Sequence, residues 1–388
     1  MSHLSTSRVA VLIGALVGAA TLGTATTLSA QGTLSGLGFG YPVGGLSTRV
    51  AGTAGAFQEF DAITTTNPAA LGGVVRTVLN AQAEPEFRTL SIGNVREQTT
   101  AQRIPLLAVL LPARRGFAAS LSASSFLDRS YTTVTTGTAT IDGSPVPTRD
   151  RFEMRGAIGD LRAAVGWQIN PRFRVGVAGH ILTGEHVASR ERTFADTLRF
   201  GGVLDSARTT LFGTAVSLGG EVRLFKGISA HASLRAGNAF DARIRDTLRA
   251  QGEVPNRVGA ALRYDGIPGS VFAVGMERVQ WSGMASMGSS SVNAADAQNL
   301  YAGAEVAGPR LRGYPVLVRA GIARNELPFG TPAGERVRES RLSAGLGLPV
   351  ARDAASLDLS LQRANRTVVG GSARESAWLL GVGLQIRP

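Results

Sequence analysis

From residue 84 onward the chain repeatedly alternates apolar with small or polar residues at a period of two. Only an extended strand turns that period into two different faces, so long soluble helices are excluded over most of the sequence. In Ser356 to Gln362, Leu357, Leu359 and Leu361 share one face while Asp358, Ser360 and Gln362 share the other. The same split recurs in Leu161/Ala163/Val165/Trp167 against Asp160/Arg162, in Ile228/Ala230/Ala232/Leu234 against Ser229/His231/Ser233/Arg235, and in Leu342/Ala344/Leu346/Leu348 against Arg341/Ser343/Gly345/Gly347. Fourteen strands are predicted, over 84–92, 104–111, 116–126, 151–168, 172–187, 209–225, 227–242, 256–265, 270–280, 300–307, 314–324, 337–348, 356–364 and 373–386.

A soluble sandwich alternates too, so the connections carry the decision. Short turns at 112–115, 169–171, 226, 265–269, 308–313 and 349–353 alternate strictly with longer polar segments. An even number of strands with short turns on one side and long loops on the other is how bacterial outer-membrane barrels are built. Closure also removes the sheet edges, which hydrocarbon does not tolerate. The expected fold is therefore all-β: a 14-stranded antiparallel transmembrane β-barrel spanning 84–388, with one face toward lipid and the other toward a lumen. After residue 22 no run of about 18 apolar residues offers a helical crossing instead.

Two segments precede the barrel. Residues 1–30 carry Arg8, an apolar stretch from Val9 to Leu22 and small polar residues ending at Ala30, the layout of a signal peptide with cleavage expected after Ala30. The chain has no cysteine, so an exported product lacks disulfides and any thiol chemistry. Residues 31–83 do not alternate; they are rich in glycine and contain Asn67-Pro68-Ala69, in which Asn suits an N-cap and Pro the first helical position. The economical place for such a segment is inside the lumen, as a hatch or plug.

The stretch Gly44 to Leu71, with Val50-Ala51-Gly52-Thr53-Ala54-Gly55, Asp61-Ala62 and Asn67-Pro68-Ala69, resembles the N-terminal hatch of the FadL/TodX outer-membrane transport family. Pro255, Trp281-Ser282, Val318 to Ile322 and Glu326 to Phe329 are similar to that family's C-terminal half. Thr65-Thr66 departs from the aromatic residues usual before the box, and the chain ends in Pro388 instead of an aromatic. The resemblance implies a monomeric barrel in the bacterial outer membrane, plugged by a hatch whose motif residues here are Asp61, Asn67, Pro68 and Ala69. It also implies passive uptake of hydrophobic molecules such as long-chain fatty acids or aromatic hydrocarbons, with a kink in the third strand opening the wall sideways. The alternatives are a barrel subunit that acts as a docking or shuttle partner of a protein secretion system and, third, a general porin.

Charge narrows the partners. Of 40 basic residues only Lys226 is a lysine; the net charge is +12, and the arginines are spread rather than clustered. An exported chain of this kind is expected to bind no nucleic acid; its partners are outer-membrane lipids and a hydrophobic small-molecule ligand. No metal spacing of histidines, nucleophile elbow or P-loop lysine is found, so no enzyme, cofactor or metal is expected. Placing the apolar face in lipid turns Arg162, Arg174, His180, Arg223, His231, Arg235, Arg319 and Arg341 inward as candidate ligand contacts, because a guanidinium fork matches a carboxylate.

Overall fold

The computed structural model describes residues 34, 38–92, 95–141, 144–195, 199–287, 294–311, 313–330, 334–350, 354–369, 371 and 373–388. The expected signal peptide, 1–30, lies outside them. Fourteen barrel strands follow one another: β1 Val78–Ile92, β2 Val95–Arg103 with Leu106–Pro112, β3 Phe117–Asp128 with Tyr131–Ile141, β4 Ser144–Asn170, β5 Phe173–Phe194, β6 Val203–Phe225 and β7 Ile228–Ile244. They continue as β8 Thr247–Glu253 with Asn256–Tyr264, β9 Ser270–Gln280, β10 Ala297–Leu311, β11 Tyr314–Glu326, β12 Val337–Pro349, β13 Ala355–Val368 and β14 Arg374–Ile386. Each is antiparallel to the next. β14 returns to β1, from Ile386 opposite Leu79 to Arg374 opposite Ser91, and closes the barrel.

The two faces are those of the sequence pattern. Along β13, Asp358, Ser360, Gln362 and Arg366 are buried inside while Leu361 is exposed outside, and Leu262, Val274, Ile322 and Leu342 extend the outer apolar belt on neighbouring strands. Apolar side chains that a soluble protein would bury are satisfied here by hydrocarbon. Leu342 lies midway along β12 and is 62% exposed, so Leu342→Arg puts a charge at the membrane midplane. Its expected cost is about 2–4 kcal/mol, against about 0–1 kcal/mol for Leu224→Arg next to the turn end of β6. Folded fractions of both variants in vesicles, read from heat-modifiable gel mobility, check this; equal fractions would refute the depth assignment.

Two sequence boundaries are corrected. The first strand begins at Val78 instead of 84, so 78–83, grouped with the hatch on sequence, belong to the wall. Asn80 and Gln82 are polar on the inward face there, and Pro85 blurs the alternation. The long polar segments are also largely not loops: Tyr131–Ile141 pairs with β4 from Tyr131 opposite Met154 to Ile141 opposite Ser144, and β7 reaches β8 across the two-residue turn Arg245-Asp246. Threonine-rich strands prolong the hairpins, because backbone pairing continues wherever β-branched residues suit a pleated surface. Proline sets the interruptions. Pro105 splits β2 and Pro255 splits β8, since neither has an N–H to give to a ladder.

Candidate functional site

The hatch enters the lumen as irregular backbone held by caps. The Ser47 hydroxyl accepts the Val50 N–H and starts the single helical turn Thr48–Ala51. Asp61 accepts both the N–H and the hydroxyl of Thr64, at 3.1 and 3.0 Å, and faces Arg49 at 3.5 Å. Asn67 caps the 3-10 turn Pro68–Gly73 by accepting the Ala69 N–H at 2.9 Å. Its amide donates to the Glu59 carbonyl and, across to β7, to the Ala232 carbonyl at 3.3 Å. Pro68 occupies the first position and Ala69 is fully buried.

Ion pairs fasten the hatch to the wall. Arg49 donates to Glu305 of β10 at 2.6 and 2.9 Å, and Arg257 of β8 donates to Glu59 at 2.6 Å. Backbone contact needs wall positions without a side chain: a Cβ on Gly176 of β5 would overlap the Pro68 carbonyl, and one on Gly321 of β11 would overlap the Thr53 carbonyl. Close approach of one backbone to another is the reason glycine stands in these strands.

Between β2 and β3 the wall is unzipped over its far half. Leu106–Pro112 pairs with β3 up to Ser124, and the Ser125 N–H makes a last bond to the Pro105 carbonyl. Beyond that, Val95–Arg103 pairs with β1 and Tyr131–Ile141 with β4, and among the described residues no ladder joins the two. Phe126 forms a bulge there and turns inward. The freed edge of β3 is taken by the hatch: Tyr41 pairs with Asp128, Pro42 with Leu127, and the Val43 N–H donates to the Phe126 carbonyl at 3.2 Å. Arg103 of β2 reaches across the gap to Asp128 of β3 at 2.9 Å.

Immediately behind this hatch strand lies a cavity of about 150 Å³. Apolar Phe126, Val279 and Trp281 form part of its lining, and Asp160, His180, Ser217 and Arg235 another. Phe126, Trp281 and Phe329 pack face and edge with centroids 5.7 and 5.8 Å apart. They belong to a buried cluster with Ile158, Leu182, Phe240 and Met284, so this side of the lumen is apolar although it faces inward.

The expected ligand contacts divide into separate groups. His180, Arg235 and Arg341 line the cavity. Arg162 is buried against Ser120, with its Nε and Nη2 atoms unpartnered. Arg174, Arg223 and His231 surround Glu221 near the turn end, at 3.0, 3.9 and 3.8 Å. Arg319 bridges Glu305 and Asp358, at 2.6 and 2.5 Å. Arg341 pairs with Glu339 at 2.7 Å and donates to the Tyr41 hydroxyl. Burial holds the Tyr41 phenol above its ordinary range, so the hydroxyl keeps the proton it donates to Glu339 at 3.0 Å.

Sequence reading missed Ser217, Tyr41 and the buried group around Arg366, which contacts Glu86, Glu339 and Glu375. Ser217 and Arg366 sit in ordinary alternation and Tyr41 in the non-alternating hatch, and only the three-dimensional pairing brings the partners together.

A closed fourteen-stranded barrel with a lipid-facing apolar belt, an inserted N-terminal hatch and a gap beside the third strand is a FadL-like outer-membrane barrel. A family model described as BamG matches residues 7–245, more than half of the sequence, and the chain belongs to that family. Among solved structures it is similar to a Pseudomonas aeruginosa FadL homologue, at 12% identity and a TM-score of 0.57, covering 88% of this chain and 98% of that one. It is similar to the CymD monoaromatic hydrocarbon channel at 14% identity and a TM-score of 0.55, covering 92% and 98%. The Pseudomonas putida toluene transporter TodX is similar at 12% identity and a TM-score of 0.54, covering 88% and 98%. At these identities the likeness is one of fold. No curated protein matches the chain in sequence.

Proposed function

We propose that the protein is a monomeric bacterial outer-membrane channel for the passive uptake of hydrophobic small molecules, such as long-chain fatty acids or aromatic hydrocarbons, and that they leave sideways between β2 and β3. The observation that carries this reading is the unzipped wall, stoppered by the hatch strand Tyr41–Pro42, with the cavity directly behind it. An apolar passenger gains by moving from the aromatic cluster into the bilayer without crossing water. A general aqueous porin would waste that lining, and its bore would be obstructed by the hatch. The FadL homologue, CymD and TodX, whose names describe hydrocarbon or toluene carriers in the last two cases, support the substrate class.

The hatch strand is the moving part in this mechanism. It is held to β3 by a short ladder and elsewhere by Tyr41, whose hydroxyl bonds Glu339 and Arg341 and whose ring lies against Arg103 and Arg366, so its withdrawal leaves the β1–β14 ring intact. Pro42 and Leu127 are register partners, and the native chain is free of cysteine. In Pro42→Cys/Leu127→Cys, oxidation should reduce fatty-acid or toluene uptake by vesicles to the level of protein-free vesicles, and a reductant should restore it. Uptake that proceeds at the wild-type rate with the cross-link formed would rule out the sideways exit.

A further inference from the structure

We propose that Ser217, His180 and Asp160 form a nucleophilic site in the lumen that hydrolyses small neutral carboxylic esters, an activity beyond the transport proposed above. The three residues come from β6, β5 and β4 and point inward. The register sets Ala178 of β5 opposite Ser217 and Leu182 opposite Asp160, so His180, between them, reaches both on the diagonals. The His180 Nδ1 lies 2.9 and 3.1 Å from the Asp160 carboxylate oxygens, and its Nε2 lies 2.8 Å from the Ser217 Oγ. That network assigns the proton to Nδ1 and leaves the Nε2 lone pair facing the hydroxyl, which is the arrangement that activates a serine.

Two further observations separate this from a hydrogen-bond chain that merely satisfies buried groups. All three residues line the same cavity. Arg235 is the direct register partner of Ser217 and lines the same cavity; its one hydrogen bond in the described residues is from Nε to the Pro255 carbonyl at 3.3 Å, and its guanidinium stacks on Phe126. It makes no carboxylate ion pair among the described residues, which leaves N–H groups free to donate to an oxyanion in the cavity. A second pair in the lumen supplies the contrast. Ser229 lies 2.9 Å from the His231 Nε2, but the His231 Nδ1 has no hydrogen-bond partner, with Glu221 3.8 Å away, so no carboxylate hydrogen bond holds that ring.

The chemistry balances with water as the only co-reactant. Ser217 Oγ attacks the ester carbonyl carbon while His180 Nε2 takes its proton and Arg235 donates to the oxyanion. Collapse breaks the ester C–O bond, and the leaving alkoxide takes the proton from His180 and departs as the alcohol. Water then attacks the acyl-serine, again through His180, and releases the carboxylic acid with Ser217 restored. Asp160 is a positioning residue throughout. The small cavity and its aromatic side favour a short acyl chain on an aryl or alkyl alcohol.

The test uses the full-length, folded barrel in detergent, with heat-modifiable mobility as the folding check. A fluorophosphonate probe should form an adduct that peptide mass spectrometry maps to Ser217, and p-nitrophenyl butyrate should be hydrolysed. Ser217→Ala should abolish both, Ser229→Ala should change neither, and Asp160→Asn should lower kcat on the order of 10³–10⁴-fold with KM unchanged. Absence of a Ser217 adduct on folded wild type, or hydrolysis that persists in Ser217→Ala, overturns the proposal. Mapping on wild type decides the matter even where a variant fails to fold.

Discussion

Arg366→Ala should lower the stability of the barrel by about 3–5 kcal/mol, the cost of removing one member of a buried ion cluster and leaving its partners in place. Arg366 is 0% exposed; its guanidinium lies 2.8 Å from Glu86, 2.8 Å from Glu339 and 2.5 Å from Glu375, and it covers the Tyr41 ring at 4.3 Å. Four strands, β1, β12, β13 and β14, are thereby tied across the seam where the barrel closes. Arg366→Lys should recover only part of the loss, because an ammonium cannot serve separate carboxylates through a rigid fork. Denaturant midpoints of the folded protein in vesicles give the readout. A wild-type midpoint for Arg366→Ala would show that Arg88, Arg103 and Arg341 suffice for the carboxylates without it.

Removing residues 38–75 should convert a nearly closed barrel into an open one, seen in planar bilayers as large, stable conductance steps where wild type passes little current. The wall tolerates the loss because each charge that faces the hatch keeps a partner in the wall: Glu305 keeps Arg319, and Arg257 keeps Glu277 at 2.6 Å. The ring of strands does not include the deleted residues, since β1 starts at Val78. If the shortened protein inserts as a barrel yet stays as closed as wild type, the hatch does not block the bore and the cavity behind it is not on a route.

Much of this architecture was legible because a barrel writes its two environments into a two-residue period. Each of the fourteen strands overlaps the stretch the alternation marked, including Ser356 to Gln362, but several run well beyond it. What the period does not encode is how full the lumen is. Ser360 reads from sequence as an open lumen position suited to a charge, yet it is 2% exposed, packed where Thr48 of the hatch meets β13 and β14. The wall gap beside the third strand was implied by the family resemblance alone; the residues themselves do not announce it, since a lone Pro105 and an inward bulge at Phe126 lie within ordinary strand composition. The Asp160–His180–Ser217 relay spans three strands, so no local motif announces it; sequence named His180 for its direction alone.

The glycine seats of the hatch carry a consequence for assembly. Pro68 rests on Gly176 of β5, and Thr53 on Gly321 of β11, so a segment made before the barrel docks on strands made much later. Its hydrogen-bonding and ionic partners, Ala232, Arg257 and Glu305, are likewise supplied by β7, β8 and β10. Contacts of such long sequence separation form only after the intervening chain has been ordered. The hatch thus precedes its partners in synthesis but follows them in structure, because its seats exist only once the strands around it have been made.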